Sequence, residues 1–303
     1  MQQKGWNYFK RNLPIYIMLI IPMVYVAVFS YAPMAGLVLA FKKYNIFQGI
    51  WDSEWVGLYY FKEAFAAKEF RTALWNTIVL NLGSLLICFP FPIVLAILLN
   101  EMSQSHGKLK EFTQTVLYLP HFLSTVIVAG IVYQIFDPQG PINNILVNLG
   151  FERINFLSNS QIWRGLYWGS NIWTGAGYGM IVYLAAMAGI NTELYDAAYI
   201  DGAGRWKRIW HVTLPQIRTT IITMTVMNIG KILSIGFEKP YMMSNVMVTD
   251  VSQVISTYVY HVGLKAGRYD YATAVGLFQS IVALIMVLLA DKAAKKLGEE
   301  GIM

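Results

Sequence analysis

Lys231 carries a full charge in an otherwise apolar stretch, residues 218–237, shared with Thr219, Thr220, Thr223, Thr225 and Asn228. An ammonium group facing acyl chains at mid-membrane depth costs several kcal/mol, so it calls for a bundle interior, a counter-charge or a wet path; the alternative is a shifted helix from which it snorkels to one surface. Glu238, seven residues on, lies two turns away on the same face if the helix continues. Groups of this kind bind and guide a polar solute rather than react with it. The other polar or aromatic side chains in apolar runs that suit a cavity wall are Asn76, Tyr133, Asn171, Trp173 and Tyr178, and for each of them taken singly plain packing is the leading reading. Asn228 and Lys231 are the favoured pair on the desolvation argument.

Catalytic constellations are absent from the sequence. Gly107-Lys108 is followed by Leu109 and lacks the earlier glycine of a phosphate-binding loop, so the chain has no ATP site of its own. There is no H-E-x-x-H, no nucleophile elbow and no paired carboxylate within an apolar run. The single cysteine, Cys88, precludes an intrachain disulfide, and His106, His121, His211 and His261 have no metal-ligand spacing. No cofactor or metal is expected on this chain.

The elements that would position the polar residues follow from composition. Of 303 residues, 56% are hydrophobic and 13% charged, against about 25% charged in soluble domains. Lipid must supply part of the solvent. A hydrocarbon core about 30 Å thick takes roughly 20 apolar residues per helix, and six segments qualify: 14–41, 73–99, 116–136, 162–190, 218–237 and 271–290. The expected product is an all-α integral membrane protein, a six-helix polytopic bundle over 14–290 with tails at 1–13 and 291–303. The 23 Lys and Arg are scattered among the apolar runs rather than gathered on one face, which excludes nucleic acid as a partner and assigns them to the membrane flanks. Twelve lie on the terminal side and nine in the opposite loops, a bias that favours termini in the cytoplasm, and the first tail, with three basic residues and no acid directly before the first span, tips the balance that way. The N-terminal stretch is too long for a signal peptide and lacks an A-x-A-like site, so it reads as an uncleaved first helix.

Several spans are poor as simple anchors. Pro22 and Pro33 in the first and Pro90 and Pro92 in the second remove backbone donors, which requires neighbouring helices or water to satisfy the freed carbonyls. Gly165/Gly169 and Gly175/Gly179 are spaced for close helix approach.

The connection 191–215, NTELYDAAYIDGAGRWKRIWHVTLP, carries Leu194, Tyr195, Tyr199, Ile200, Trp206, Ile209 and Trp210 although it faces the cytoplasm. So much apolar surface in a loop requires a cover. Thr192 with Glu193 and Asp196 suits a helix start, 201–204 a turn, 205–211 a second short helix, and Pro215 the opening of the next span. Ala197, Ala198, Gly202 and Ala203 allow close approach, and Tyr199, Trp206 and Trp210 are anchor types; the alternative is a knob that packs on its own bundle.

Asp196-Ala197-Ala198, Asp201-Gly202-Ala203, then Trp206, Ile209, Trp210 and Leu214-Pro215 resemble the EAA loop of permease subunits of bacterial binding-protein-dependent ABC importers. Asp196 stands where Glu is usual, and Thr219 or Thr220 where a later proline is common. Tyr31-Ala32-Pro33-Met34-Ala35-Gly36, Ala40-Phe41-Lys42-Lys43-Tyr44-Asn45, Trp55-Val56-Gly57-Leu58 and 254–260 (VISTYVY) are similar to the oligosaccharide and polysaccharide branch, which includes importers for alginate and pectic fragments. The resemblance implies a type I ABC importer permease with a cytoplasmic coupling helix between helices 4 and 5. Its implied partners are a second homologous permease, two cytoplasmic ATPases that hold ATP and Mg2+, an extracytoplasmic sugar-binding protein, the oligosaccharide and membrane lipid. If Lys231 is a counter-ion, acidic uronate sugars become the attractive substrates. A passive channel or secondary carrier for small polar solutes is the alternative, and an intramembrane lipid enzyme is disfavoured by the missing catalytic groups.

Two outer loops are less specific. Residues 250–264 read as one amphipathic helix with Asp250 and Gln253 as a capping-box pair, serving as scaffold or as part of a platform for a binding protein. Loop 42–72, with Trp51, Trp55, Tyr59 and Tyr60, carries the same two readings.

Overall fold

The computed structural model describes residues 2–102 and 107–296, with backbone alone over 2–10. Met1, 103–106 and 297–303, which include part of the expected tail 291–303, lie outside the described residues. The chain divides into two compact units, Met1–Ala64 with Val262–Leu277, and Phe65–His261 with Phe278–Met303.

In the first unit a helix over Gln2–Val26 contains Pro14 and Pro22. It passes without a break through a wide π turn at Ala27–Tyr31, where the Ala32 N–H bonds the Ala27 carbonyl, into a 3-10 stretch at Ala32–Phe41 that has Pro33 in its first turn. None of the most apolar window of Arg11–Phe41 is buried within the chain, so lipid or another subunit must cover it. A short antiparallel hairpin follows, Lys42–Asn45 with Ser53–Trp55, in the register Lys42 to Trp55 and Lys43 to Glu54. Phe41 and Trp55 stack at 5.6 Å beside it. The carboxylate of Asp270 ties the hairpin to this unit, accepting from the Tyr60 hydroxyl at 2.6 Å and the Tyr44 N–H at 3.2 Å.

The second unit is built around the Ser160–Ala188 helix, 29 residues long and N-capped by Asn159, whose Oδ1 accepts from the Gln161 N–H at 2.9 Å. One apolar cluster joins Leu80, Val132, Trp163, Tyr167, Met243, Val248 and Val254; a second joins Ala96, Leu99, Met180, Tyr183, Met187 and Ile217. The indoles of buried Trp163 and half-buried Trp168 are satisfied by backbone: Trp163 Nε1 donates to the Met243 carbonyl at 2.8 Å and Trp168 Nε1 to Leu80 at 3.1 Å. Ahead of Pro90 the helix widens into a π turn at Ser84–Cys88, where Phe89 N–H reaches back five residues to Ser84 at 2.9 Å. The extra residue in that turn gives the proline ring room without breaking the rod.

Three helices are long and apolar enough to cross a membrane, Arg11–Phe41, Lys68–Asn100 and Tyr269–Lys296, and two sharply bent pairs raise the number to five by length and composition, among the described residues. The expected straight span 116–136 is broken: Gly107–Phe122 and Thr125–Asn148 meet at 102°. Pro120 interrupts the first segment, and Ser124 restarts the second by accepting the Ile127 N–H at 3.3 Å. The expected span 218–237 also differs. Its helix, Arg218–Gly230, stops after 13 residues and leaves Lys231 as its C-cap. At about 1.5 Å per residue this is roughly 20 Å, well short of the hydrocarbon thickness. The carbonyls of the irregular stretch that follows are held by amides, Asn81 Nδ2 to Ile232 at 2.8 Å and Gln279 Nε2 to Leu233 at 2.6 Å. Irregular backbone at membrane depth survives only with such partners.

Two packing expectations are corrected. Gly165, Gly169 and Gly175 have nothing within 4 Å of an added Cβ, so they form no tight helix contacts among the described residues. Gly177, in neither spaced pair, packs against the Leu117 backbone, and Gly179 against Pro92. The helix expected over 250–264 is interrupted once, at 253–254: Thr249–Ser252 is separate from Ile255–Val259, which runs on as a π-helix over Tyr260–Lys265. Asp250 accepts from the Ser160 hydroxyl at 2.7 Å instead of capping with Gln253, and Thr257 Oγ1 accepts the Val254 N–H at 3.0 Å.

Candidate functional site

The elbow over 191–215 turns sharply off the bundle: the helix Thr192–Ile200 lies at 74° to Ser160–Ala188. Its N-cap is Asn191 rather than Thr192, with Asn191 Oδ1 accepting the Glu193 N–H at 3.0 Å. Its C-terminus is a Schellman closure, in which the Gly202 N–H bonds the Tyr199 carbonyl at 3.0 Å and the Ala203 N–H the Ala198 carbonyl at 2.9 Å. Gly202 has φ of +73°, a conformation that a Cβ penalises, so the glycine is what allows the reversal. Gly204 then caps Arg205–Arg208, and the chain continues through a π turn at Ile209–Thr213 to Leu214 and Pro215.

The two faces of the elbow are unlike. Ile209, Thr213 and Ile217, four residues apart, are buried, and Ile217 joins the cluster of Met180 and Met187. This row fastens the second arm to its own bundle. Tyr199, Ile200, Trp206 and Trp210 point outward and are 72%, 83%, 74% and 64% exposed. Asp196, Ala197, Asp201 and Pro215 are also exposed, while Ala198, Ala203 and Leu214 are half-buried. The nine-residue helix, interleaved with Glu193, Asp196 and Asp201 and followed by Arg205, Lys207 and Arg208, is too short and charged to sit in hydrocarbon. Its outward aromatic side chains are bare among the described residues, a pattern typical of interaction surfaces.

The candidates for a solute path fall in different places. Asn76 is 1% exposed, and its amide donates to the carbonyls of Asp250 at 2.8 Å and Gln253 at 3.0 Å while accepting from Arg164 at 2.8 Å. Both amide hydrogens are committed to backbone. Tyr133 packs half-buried against the Trp163 cluster. Trp173 lies between two apolar cavities of about 520 and 320 Å³. Asn228 is exposed and bonds its own helix at the Met224 carbonyl, 2.7 Å. Lys231 is exposed at the helix end, and Glu238 opens a separate helix, Glu238–Met243, so the expected shared face of these two does not form.

Asn171 and Tyr178 are brought together along one face of Ser160–Ala188, seven residues apart. Tyr178 stacks on His121 at 4.0 Å with rings 7° from parallel, and Tyr118 stacks on Tyr178 at 6.0 Å. Asn171 accepts from Lys239 Nζ at 2.7 Å, and Thr174 Oγ1 stands 3.4 Å from the same nitrogen. Lys239 was not among the residues picked from sequence, because it falls just beyond the apolar run. The signal was there in its position beside Pro240, in a stretch with few other charges.

Residues 64–297 match the model of the family described as binding-protein-dependent transport system inner membrane component. The chain belongs to this family. It is 43% identical to Protein LplB of Bacillus subtilis (strain 168), over 97% of this chain and 92% of that one. It is 45% identical to the polygalacturonan/rhamnogalacturonan transport system permease protein YteP of the same organism, over 95% and 89%. It also superimposes with a TM-score of 0.90 and 40% identity on a chain of a bacterial alginate ABC transporter solved with an alginate pentasaccharide-bound periplasmic protein, covering 98% of this chain and 99% of the other.

Proposed function

We propose that this chain is the permease subunit of an ATP-driven oligosaccharide importer of the plasma membrane. It works by alternating access with a second homologous permease, and both termini are cytoplasmic. An extracytoplasmic binding protein delivers the sugar, as suits a relative of a transporter solved with its periplasmic protein. The chain supplies no nucleotide site, so two partner ATPases carry ATP and Mg2+. The helix Thr192–Ile200 rests in a groove of one of them, and closure of the nucleotide sites moves the elbow, whose buried row passes the motion to the bundle.

The observation that carries this reading is the elbow itself, with one face fastened to its own helices and the other bare and aromatic. A channel or secondary carrier has no use for such a face. The test is copurification from membranes that express the whole transporter. Tyr199→Asp with Trp206→Asp should remove the ATPases while the permease remains in the membrane with its partner permease. Retention of the ATPases together with full ATP-driven uptake would overturn the coupling role.

A further inference from the structure

The Glu238–Met243 helix places Lys239 against the middle of Ser160–Ala188, with Nζ 2.7 Å from Asn171 Oδ1 and 3.4 Å from Thr174 Oγ1. Asn171 and Thr174 lie 11 and 14 residues from the start of that helix and 17 and 14 from its end, about 17–21 Å along its axis from the start and about 21–26 Å from the end. The ammonium group is therefore held near mid-depth of the bundle. Both partners are neutral oxygens, and among the described residues no carboxylate forms an ion pair with it. A half-buried cation normally acquires an opposite charge, and one whose fixed partners are an amide and a hydroxyl is suited to a mobile anion. An ammonium has three donors, and these two contacts leave one of them open.

The surroundings suit a sugar rather than a bare ion. One to two turns along the same helix face, Tyr178 is half exposed and stacked on His121, which presents a flat aromatic surface. Pyranose rings lay their C–H faces on such surfaces, while amides and hydroxyls such as Asn171 and Thr174 take sugar hydroxyls. The long helix thus offers hydrogen-bonding groups and a stacking ring on one face, and the short helix sets a cation against it.

We infer that Lys239 is the specificity-determining counter-charge for uronate carboxylates, making the path selective for acidic oligosaccharides. This rests on the oligosaccharide-importer reading. Lys239 holds the carboxylate of a sugar residue while Asn171 and Thr174 keep its amine in place and Tyr178 carries a neighbouring ring.

The test uses the complete transporter in proteoliposomes with its binding protein, and two probes alike in size and stereochemistry, trigalacturonate and its fully methyl-esterified form. Uptake by each variant is taken relative to wild type for each probe, so that the binding protein's own selectivity cancels. Lys239→Met should lower trigalacturonate uptake roughly ten- to hundredfold, the range expected for losing a hydrogen bond to a charged group, and leave ester uptake within about twofold, well inside thermal energy. Lys239→Arg should restore most of the acid uptake. Equal losses for both probes would mark Lys239 as a structural tie between the two helices and overturn the proposal. No loss for either, wild-type transport of the ester alone, or an ester the binding protein does not deliver together with unchanged acid uptake in Lys239→Met, would overturn it as well, with the importer reading intact. Absence of ATP-driven uptake of neutral and acidic oligosaccharides alike would contradict that reading instead, and the counter-charge with it.

Discussion

The hydroxyls of Tyr195 and Thr213 stand 3.0 Å apart and join the first helix of the elbow to the turn that leads into the next membrane helix. Thr213 is buried and sits in the row with Ile209 and Ile217, so the bond links the exposed arm to the part of the elbow that is fastened to the bundle. A push on Thr192–Ile200 has a short, rigid route inward.

Removing that strut should separate binding from coupling. Tyr195→Phe deletes one hydrogen bond worth about 1 kcal/mol and leaves Tyr199 and Trp206 untouched. The ATPases should still copurify, while sugar moved per ATP hydrolysed falls several-fold. Parallel measurement of ATP hydrolysis and uptake checks this, and an unchanged ratio would assign the bond to local stability alone.

The turn at Gly202 makes a sharper demand. Gly202→Asn places a residue that tolerates positive φ, whereas Gly202→Val places a β-branched one where such strain costs about 1–3 kcal/mol. Nothing lies within 4 Å of an added Cβ, so backbone conformation alone separates the two. Uptake should be near normal in the asparagine variant and largely lost in the valine variant.

Helix packing gives a prediction for neighbouring glycines. A Cβ on Gly177 would overlap the Leu117 carbonyl, while one on Gly175 meets nothing. Gly177→Ala should lower the thermal stability of the detergent-solubilised subunit by an amount in the upper range for point changes, about 2–4 kcal/mol. Gly175→Ala should be neutral. Equal effects would show that the two helices do not meet as described.

The first unit predicts a pH dependence. Burial, and then the hydrogen bond and charge of Asp270, push the Tyr60 hydroxyl above its ordinary value of 10.0. A folded-state pKa above the unfolded one means that the contribution is fully present below the unfolded value and is lost as pH rises through the folded one. Wild type should therefore lose stability above pH 10 beyond what Tyr60→Phe loses, read from thermal unfolding across an alkaline series. The phenylalanine variant should be less stable at neutral pH, because Asp270 loses its 2.6 Å donor.

How much of this was legible in the sequence follows how far each feature depends on distant residues. The elbow was readable because its turn and anchors all lie within 25 residues, and a glycine at 202 between two short helical patterns marks the turn by its residue type. Asn191 was missed as the cap because Thr192 is as good a capping type; only the geometry selects between adjacent candidates. The polar path was the least readable part. Lys231 looked buried because the apolar run continues to Phe237, yet the helix ends at Gly230 once Asn81 and Gln279 supply the bonds that let the backbone leave it. Those residues are distant in sequence, and no local pattern announces them. The pairing of Lys239 with Asn171 spans 68 positions and is invisible for the same reason. Helix breaks at Pro120 and around Pro90 were half readable: the prolines are plain, but whether a proline gives a sharp bend or a π turn depends on what packs beside it.

ATP-driven import through this chain requires that a separate motor hold the bare face of the elbow. A photo-reactive amino acid at position 199 in the assembled transporter, with the same group at the exposed Phe47 of the other loop set as a control, reads this directly. Position 199 should crosslink to an ATPase subunit, with a yield that changes when nucleotide is added, and position 47 should not. Adducts from position 199 confined to its own chain or to lipid in every nucleotide state would contradict the account.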